Sequence, residues 1–218
     1  MLDILRHHWY DFGVISGIAA VYYFNKNRRN LSTTQKILFA NFLALLVHQF
    51  EEYRFPGGFP VAMNMGLHRS SHPKRYPLNA HSALVTNVVA TYGLYLPSVF
   101  FPDLVWFGLA PVIIGFGQIL IHGININSKM GSFYNPGLAS AISLHVPIGC
   151  YYIQHIRATG QLTGGQLVLG IIFGVLFTYL LLGKYTFTWA PDYNTPYPFT
   201  AAEMACGGVA SWLSRKSR

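Results

Sequence analysis

Acidic residues are scarce in this chain of 218 residues: 7 Asp and Glu stand against 15 Lys and Arg, and charged types together make up 10%. An ordinary soluble domain is about 25% charged, so the deficit argues against one. A chain with 52% hydrophobic residues is not disordered either, because disorder needs low hydrophobicity and high net charge. Cysteine is nearly missing. Cys150 lies inside an apolar run and Cys206 near the C-terminus, with no spacing that marks a disulfide framework or a zinc ribbon. Both read as free thiols, with Cys150 packing as a small apolar group. There is no internal repeat and no low-complexity segment.

What the chain does have is long apolar runs, and a membrane span needs about 20 apolar residues. Six can be drawn, over residues 9–24, 37–53, 82–101, 104–122, 138–156 and 167–187. The fold class expected is all-α: a polytopic membrane bundle of about six transmembrane helices in one domain, 1–187, with a tail over 188–218. Pro97, Pro111 and Pro147 lie within spans, where neighbouring helices can satisfy the freed backbone groups. Asp11 interrupts the first run and no A-x-A-like site follows, so it reads as an uncleaved span and not a signal peptide. Phe101-Pro102-Asp103 makes a tight helical hairpin of the third and fourth runs. Residues 54–81 read as a structured loop with at most a short helix, and 123–136 as another connection, with Asn135-Pro136 opening the next helix as N-cap and first position. In the tail, Thr200 and Glu203 fit a capping box. A short helix over 201–213, with Arg215, Lys216 and Arg218 after it, reads as interfacial.

The Lys and Arg lie between apolar runs, with no continuous basic face, which speaks for a bilayer and against nucleic acid as partner. Six spans put both termini on one side. Arg6, Arg54, Arg69, Lys74, Arg75, Lys129, Lys184, Arg215, Lys216 and Arg218 share that side; Lys26, Arg28, Arg29, Lys36 and Arg157 lie opposite. The positive-inside rule then puts the N- and C-termini in the cytoplasm.

Polar residues inside spans are costly and mark function by default. The second run ends His48-Gln49-Phe50-Glu51-Glu52, and positions i, i+3 and i+4 share a helix face. Alternation of the spans brings His81, Thr86 and Asn87 of the third, Gln118 and His122 of the fourth and His145 of the fifth to the same leaflet. The opposite leaflet gathers no such cluster, with Asp103 and His155 its main polar residues. Imidazoles with carboxylate make a metal shell, and one divalent cation, Zn or Fe, would cancel the charge of both glutamates; Arg54 is another counter-ion. His48, Glu52, His122 and His145 are the candidate metal ligands, Glu51 and Glu52 the candidate catalytic carboxylates, and Asn87, Gln118, Asn135 and His81 the outer polar groups. By analogy with the H-x-x-E-H arrangement, His48 and Glu52 bind metal and Glu51 is the general base; helix geometry equally allows the two glutamates to exchange roles. Plainer readings stand beside these. Gln118 can be an interhelical hydrogen-bonding group, Asn135 an N-cap, and His68, His72 and His81 surface residues. Gly170 and Gly174 form a small-xxx-small packing pair.

The His48–Glu52 motif late in an apolar span, with His122, Tyr134-Asn135-Pro136-Gly137 and His145 following in order, resembles the HXXEE integral membrane family, from about residue 38 to 182. That resemblance implies a multi-pass membrane domain suspected of enzymatic activity, with His48, Glu51 and Glu52 carried over, and Asn135 and His145 beside them. The residues point to a metal-dependent membrane enzyme, a hydrolase using a metal-activated water or an oxidase, acting on a lipid or other hydrophobic small molecule. A transporter of protons, cations or small molecules, or an accessory membrane protein pinned together by the same cluster, is the alternative class.

Overall fold

The computed structural model describes residues 2–216; Arg218 of the basic tail lies outside them. All regular structure among these residues is helical. Two long helices come first, α1 (Leu2–Asn27) and α2 (Thr33–Tyr53). A short α3 (59–67) follows within the long loop. Then come α4 (Ala80–Phe100), α5 (Val105–Met130), α6 (138–158) and α7 (Gly164–Trp189). Two short helices close the chain, α8 (Ala201–Ala205) and α9 (Val209–Lys216). Starts are capped as the residue types dictate. Ser32 accepts from the Gln35 N–H, Asn79 from those of His81 and Ser82, Thr163 from Gln166, and Thr200 from Glu203.

The long helices run alternately up and down. At one end Gln35 donates to the Val99 carbonyl, Thr34 meets His155, and Gln166 accepts from the Trp106 N–H. At the other end Arg6 lies over the Tyr197 ring and His7 meets Glu203, which brings the start of α1 to the tail after α7. α2 is the central helix and buries residues along its whole length, from Thr34 to Tyr53. Phe42, Leu45 and Leu46 pack with Leu94, Tyr95 and Ala110 in the middle of the bundle. α1 and α7 lie outside, turning Ile15, Ile18 and Tyr22, and Val168, Ile172 and Val175, outward. An exposed apolar wall of this kind is foreign to a soluble monomer and suits lipid.

Three helices are long and apolar enough to cross a membrane: α4, α5 and α7. The expected count of six is therefore not met on length and composition. α1 has Asp3, Arg6, Asp11 and Lys26, α2 keeps its polar groups inside the bundle, and α6 carries His145, Pro147, Gln154, His155 and Arg157. What stands is an all-α fold with several long apolar helices, consistent with a polytopic membrane bundle.

Other expectations change with the packing. The connection drawn over 123–136 is helical as far as Met130, because wide π-type turns over Ile119–Ile126 carry α5 past Gly123. Similar turns over Thr91–Tyr95 and Ala141–His145 come just before Pro97 and Pro147, where a proline lacks its N–H and crowds the carbonyl one turn back. The single tail helix is split: Gly207 and Gly208 have positive φ, which glycine adopts without strain. Gly207 lies so close to the Gly57 carbonyl that no side chain would fit. α9 does not lie free, since Val209 is buried with Met63 and Met130 and Lys216 donates to the Met130 and Gly131 carbonyls at the end of α5. Cys150 is exposed on α6 instead of packed inside.

Gly170 and Gly174 hold α7 against α5. A Cβ at Gly170 would stand 2.7 Å from the Leu109 Cβ, and one at Gly174 3.2 Å from the Ala110 carbonyl. Gly170→Leu is expected to destabilise the fold by about 1–3 kcal/mol through overpacking. Thermal unfolding in mild detergent measures this, with the outward-facing Val168→Leu expected to melt like wild type.

Candidate metal centre

The last turns of α2 deliver the site. His48, Glu51 and Glu52 share a face as the 3.6-residue repeat requires, and all three are buried. Their partners differ. Glu52 Oε1 lies 3.7 Å from His48 Nε2 and 3.4 Å from His122 Nε2. His48, Glu52 and His122 each offer one ligand atom to a group able to hold a metal ion, the atoms all within 4.8 Å of one another. Donor pairs around a tetrahedral ion stand on the order of 3.4 Å apart when each bond is about 2.1 Å, close to the two distances that Glu52 makes here.

The outer contacts fix which nitrogens face inward. Asn135 donates its amide to the His122 carbonyl at 2.8 Å and to Asn127 Oδ1 at 2.7 Å. Its Oδ1 is thereby turned to His122 Nδ1, 2.6 Å away, which must donate. Ser140 gives its one hydroxyl proton to Glu51 Oε2 or to the Gly137 carbonyl, both pure acceptors. Its oxygen is then left to accept from His48 Nδ1 at 3.0 Å. Both imidazoles therefore turn a lone pair at Nε2 toward Glu52. Locking the outer nitrogen in this way is what second partners do at metal sites.

Glu51 sits apart from this group. Its Oε1 accepts from the Tyr134 hydroxyl at 2.9 Å and the Ala139 N–H at 3.1 Å, and its Oε2 from the Ser140 N–H at 2.8 Å and the Ser140 hydroxyl. These backbone groups open α6, where N–H donors have no intrahelical partner and the helix dipole favours a negative charge. Burial, and then the hydrogen bond to Glu51, raise the Tyr134 phenol above its ordinary pKa, so it stays a donor at neutral pH. Arg54 is not the counter-ion to the glutamates: its guanidinium pairs with Asp11 at 3.1 Å. The groups nearest Glu52 Oε1 among the described residues are the two imidazoles, which offer it no positive charge in this arrangement. A buried carboxylate so placed needs a cation or a proton.

The other expected residues are spread around this centre. The His145 ring meets the His48 ring edge-on, centroids 5.5 Å apart, and its Nδ1 lies 3.2 Å from Asn41 Oδ1. Its Nε2 is buried without a hydrogen-bond partner, beside the three-residue group and outside it. Asn135 does not cap α6, whose N-cap is Gly137; it holds His122 instead. Asn87 receives Gln49 Nε2 at 3.2 Å, and Gln118 lines a cavity next to the site. His81 packs on Tyr197 with its Nδ1 buried and unpartnered, at the tail and away from the centre. Ser140 and Asn41 had no role in the sequence reading, and Tyr134 entered it only as part of the turn before α6. Ser140 lies on another helix, with no spacing that ties it to the motif, whereas Asn41 stands on α2 itself, two turns before His48, where the helical repeat could have found it.

A cavity of about 740 Å³ runs from His48 and Glu52 between α2, α4, α5 and α7, walled mainly by aliphatic and aromatic side chains. Phe59 packs its ring 5.5 Å from that of His122. With Met63 and Leu78, both buried, it roofs the polar end.

A buried His/Glu/His group able to coordinate a metal ion, set near helices long and apolar enough to cross a membrane, is consistent with a metal-binding membrane protein. The chain belongs to the family described as protein of unknown function with HXXEE motif, which it matches over residues 39–152. Searches of curated proteins and of solved structures gave no match.

If Glu51 anchors α6, replacing one of its acceptors with an amide N–H₂ is expected to cost about 1–3 kcal/mol, the penalty of stranded buried donors. Glu51→Gln should lower the melting temperature in detergent. With metal stripped by a chelator from variant and wild type alike, Glu52→Gln should not, since no backbone donor depends on that side chain.

Proposed function

We propose that the protein is a metal-dependent membrane enzyme acting on a hydrophobic substrate. The observation that carries this reading is the convergence of His48 Nε2, His122 Nε2 and Glu52 Oε1, each imidazole held from behind, at the closed end of an apolar cavity. Two histidines and one carboxylate with an open position form the donor set of catalytic zinc sites and also of non-haem iron sites. A divalent ion bound there would supply Lewis-acid or redox chemistry in a dry pocket. His48, His122 and Glu52 are the ligands in this proposal. Glu51, spent on four hydrogen bonds, orders α6 and steadies His48 through Ser140. That assignment chooses between the two roles left open by helix spacing. His145, its Nε2 buried and unpartnered next to His48, is the candidate further ligand, and Asn87 and Gln118 line the cavity beside the group.

The proposal includes six crossings. α1 and α2 contain 26 and 21 residues, and even the shorter spans ~32 Å at about 1.5 Å per residue, enough for a hydrocarbon core of about 30 Å. The contacts of Arg6 and His7 with the tail support an even number of passes. The Lys and Arg excess then assigns the termini to the cytoplasm, with 1–187 as the membrane domain and 188–218 as a tail docked on its cytoplasmic end.

Elemental analysis of protein purified in mild detergent is expected to find near-stoichiometric zinc or iron. His48→Ala, His122→Ala and Glu52→Ala should lose it, and Asn135→Ala should bind about 10–100-fold more weakly. A folded protein without metal overturns the reading. For the topology, cysteines placed at Asn30 and Gly160, with Cys150→Ser and Cys206→Ser, should react with an impermeant maleimide from the side opposite to cysteines at Ser71 and Asn194. Labelling of all four from one side overturns the six crossings.

A further inference from the structure

The cavity beside the metal centre has its mouth in the side wall of the bundle. Over Gly164–Thr178, α7 lies tightly on α5, with Gly170 and Gly174 against Leu109 and Ala110. From Tyr179 onward it leans on α4 instead, where the Thr186 and Thr86 hydroxyls meet. The two helices diverge, and the cavity occupies the gap. Its lips are Leu120 on α5 with Val175 and Tyr179 on α7, exposed by 61%, 57% and 52%. Gly117 faces the gap, and a Cβ built there has no atom within 4 Å. Leu45 and Tyr95 are buried and close the deep end, as Phe59, Met63 and Leu78 close the polar end.

We propose that this cavity takes the apolar chain of a membrane amphiphile, admitted sideways from the bilayer between α5 and α7, with its polar group drawn up to His48 and Glu52. A water-soluble substrate would have to approach through the lipid-facing wall or the roof. A chain already in the bilayer needs no desolvation to pass lips of Leu, Val and Tyr, and it replaces apolar contacts with apolar contacts. The volume, about 740 Å³, falls within the roughly 300–1,000 Å³ of ligand pockets. The polar end of this proposal rests on the metal-centre reading above; the chain site does not.

The test uses the full-length protein in phosphatidylcholine vesicles containing a small share of phosphatidylcholine with a diazirine near the end of one acyl chain. After irradiation, adducts are mapped by mass spectrometry and bound metal is measured on the same preparation. Adducts on the inner residues Tyr95, Ile113 and Gly117 are expected in wild type. They should be lost in Gly117→Phe and, from the opposite wall, in Ala90→Phe, while both variants keep the metal content and melting behaviour of wild type. Adducts confined to outward residues such as Val168 and Ile172, or inner adducts that persist in both filled variants, overturn the proposal. Inner adducts in a protein without metal support the chain site and overturn the metal reading; metal without inner adducts does the reverse.

Discussion

The site depends on one carboxylate meeting one helix start. Glu51, near the end of α2, accepts the free N–H groups of Ala139 and Ser140 and the hydroxyls of Ser140 and Tyr134. That contact fixes the height and rotation of α6 relative to α2. It also leaves Ser140 Oγ as the acceptor that orients His48. Removing water strengthens each of these interactions, because Coulomb energies rise as the local dielectric falls. A buried anion at a helix N-terminus is thus both a joint between two helices and the outer support of an imidazole.

The position of α2 explains how a bundle of this kind tolerates so many polar groups. Asn41, His48, Gln49, Glu51 and Glu52 all belong to the central helix and are buried by its neighbours. Polar groups in a bilayer face the bundle interior because hydrocarbon offers them no partner. The outer helices show the opposite pattern, with α7 turning most of its aliphatic residues outward. Hydropathy therefore underrates α2 for the very reason that makes it the carrier of the site.

Much of this was legible in the sequence. The six apolar runs correspond closely to the six long helices, and the scarcity of acids directed attention to Glu51 and Glu52. Alternation of the runs was enough to gather His48, His122 and His145 at one end. The division of labour between the glutamates was not legible, since i+3 and i+4 are equivalent on a helix face until the neighbouring helix is known. Arg54 was offered as their counter-ion on sequence proximity, but its side chain goes to Asp11 on α1. Asn135 had the residue type and setting of an N-cap, yet the positive φ at Gly137 starts the helix two residues later and frees the amide for His122. Most hidden were the wide turns, which leave no mark in composition and yet carry both His122 and His145.

Those wide turns give this chain an unusual sensitivity to length. Ile119–Ile126 accommodates one residue beyond what a regular helix would hold between the same two contacts. Deleting a single residue there would let the segment close into a regular helix with its flanks still in phase, while the residues within it, His122 among them, lose the wide turn that sets their direction. His122 would then leave the face that meets Glu52. Two chains of this kind could share the motif, the six runs and the same hydropathy profile, and differ in whether the third donor faces the other two.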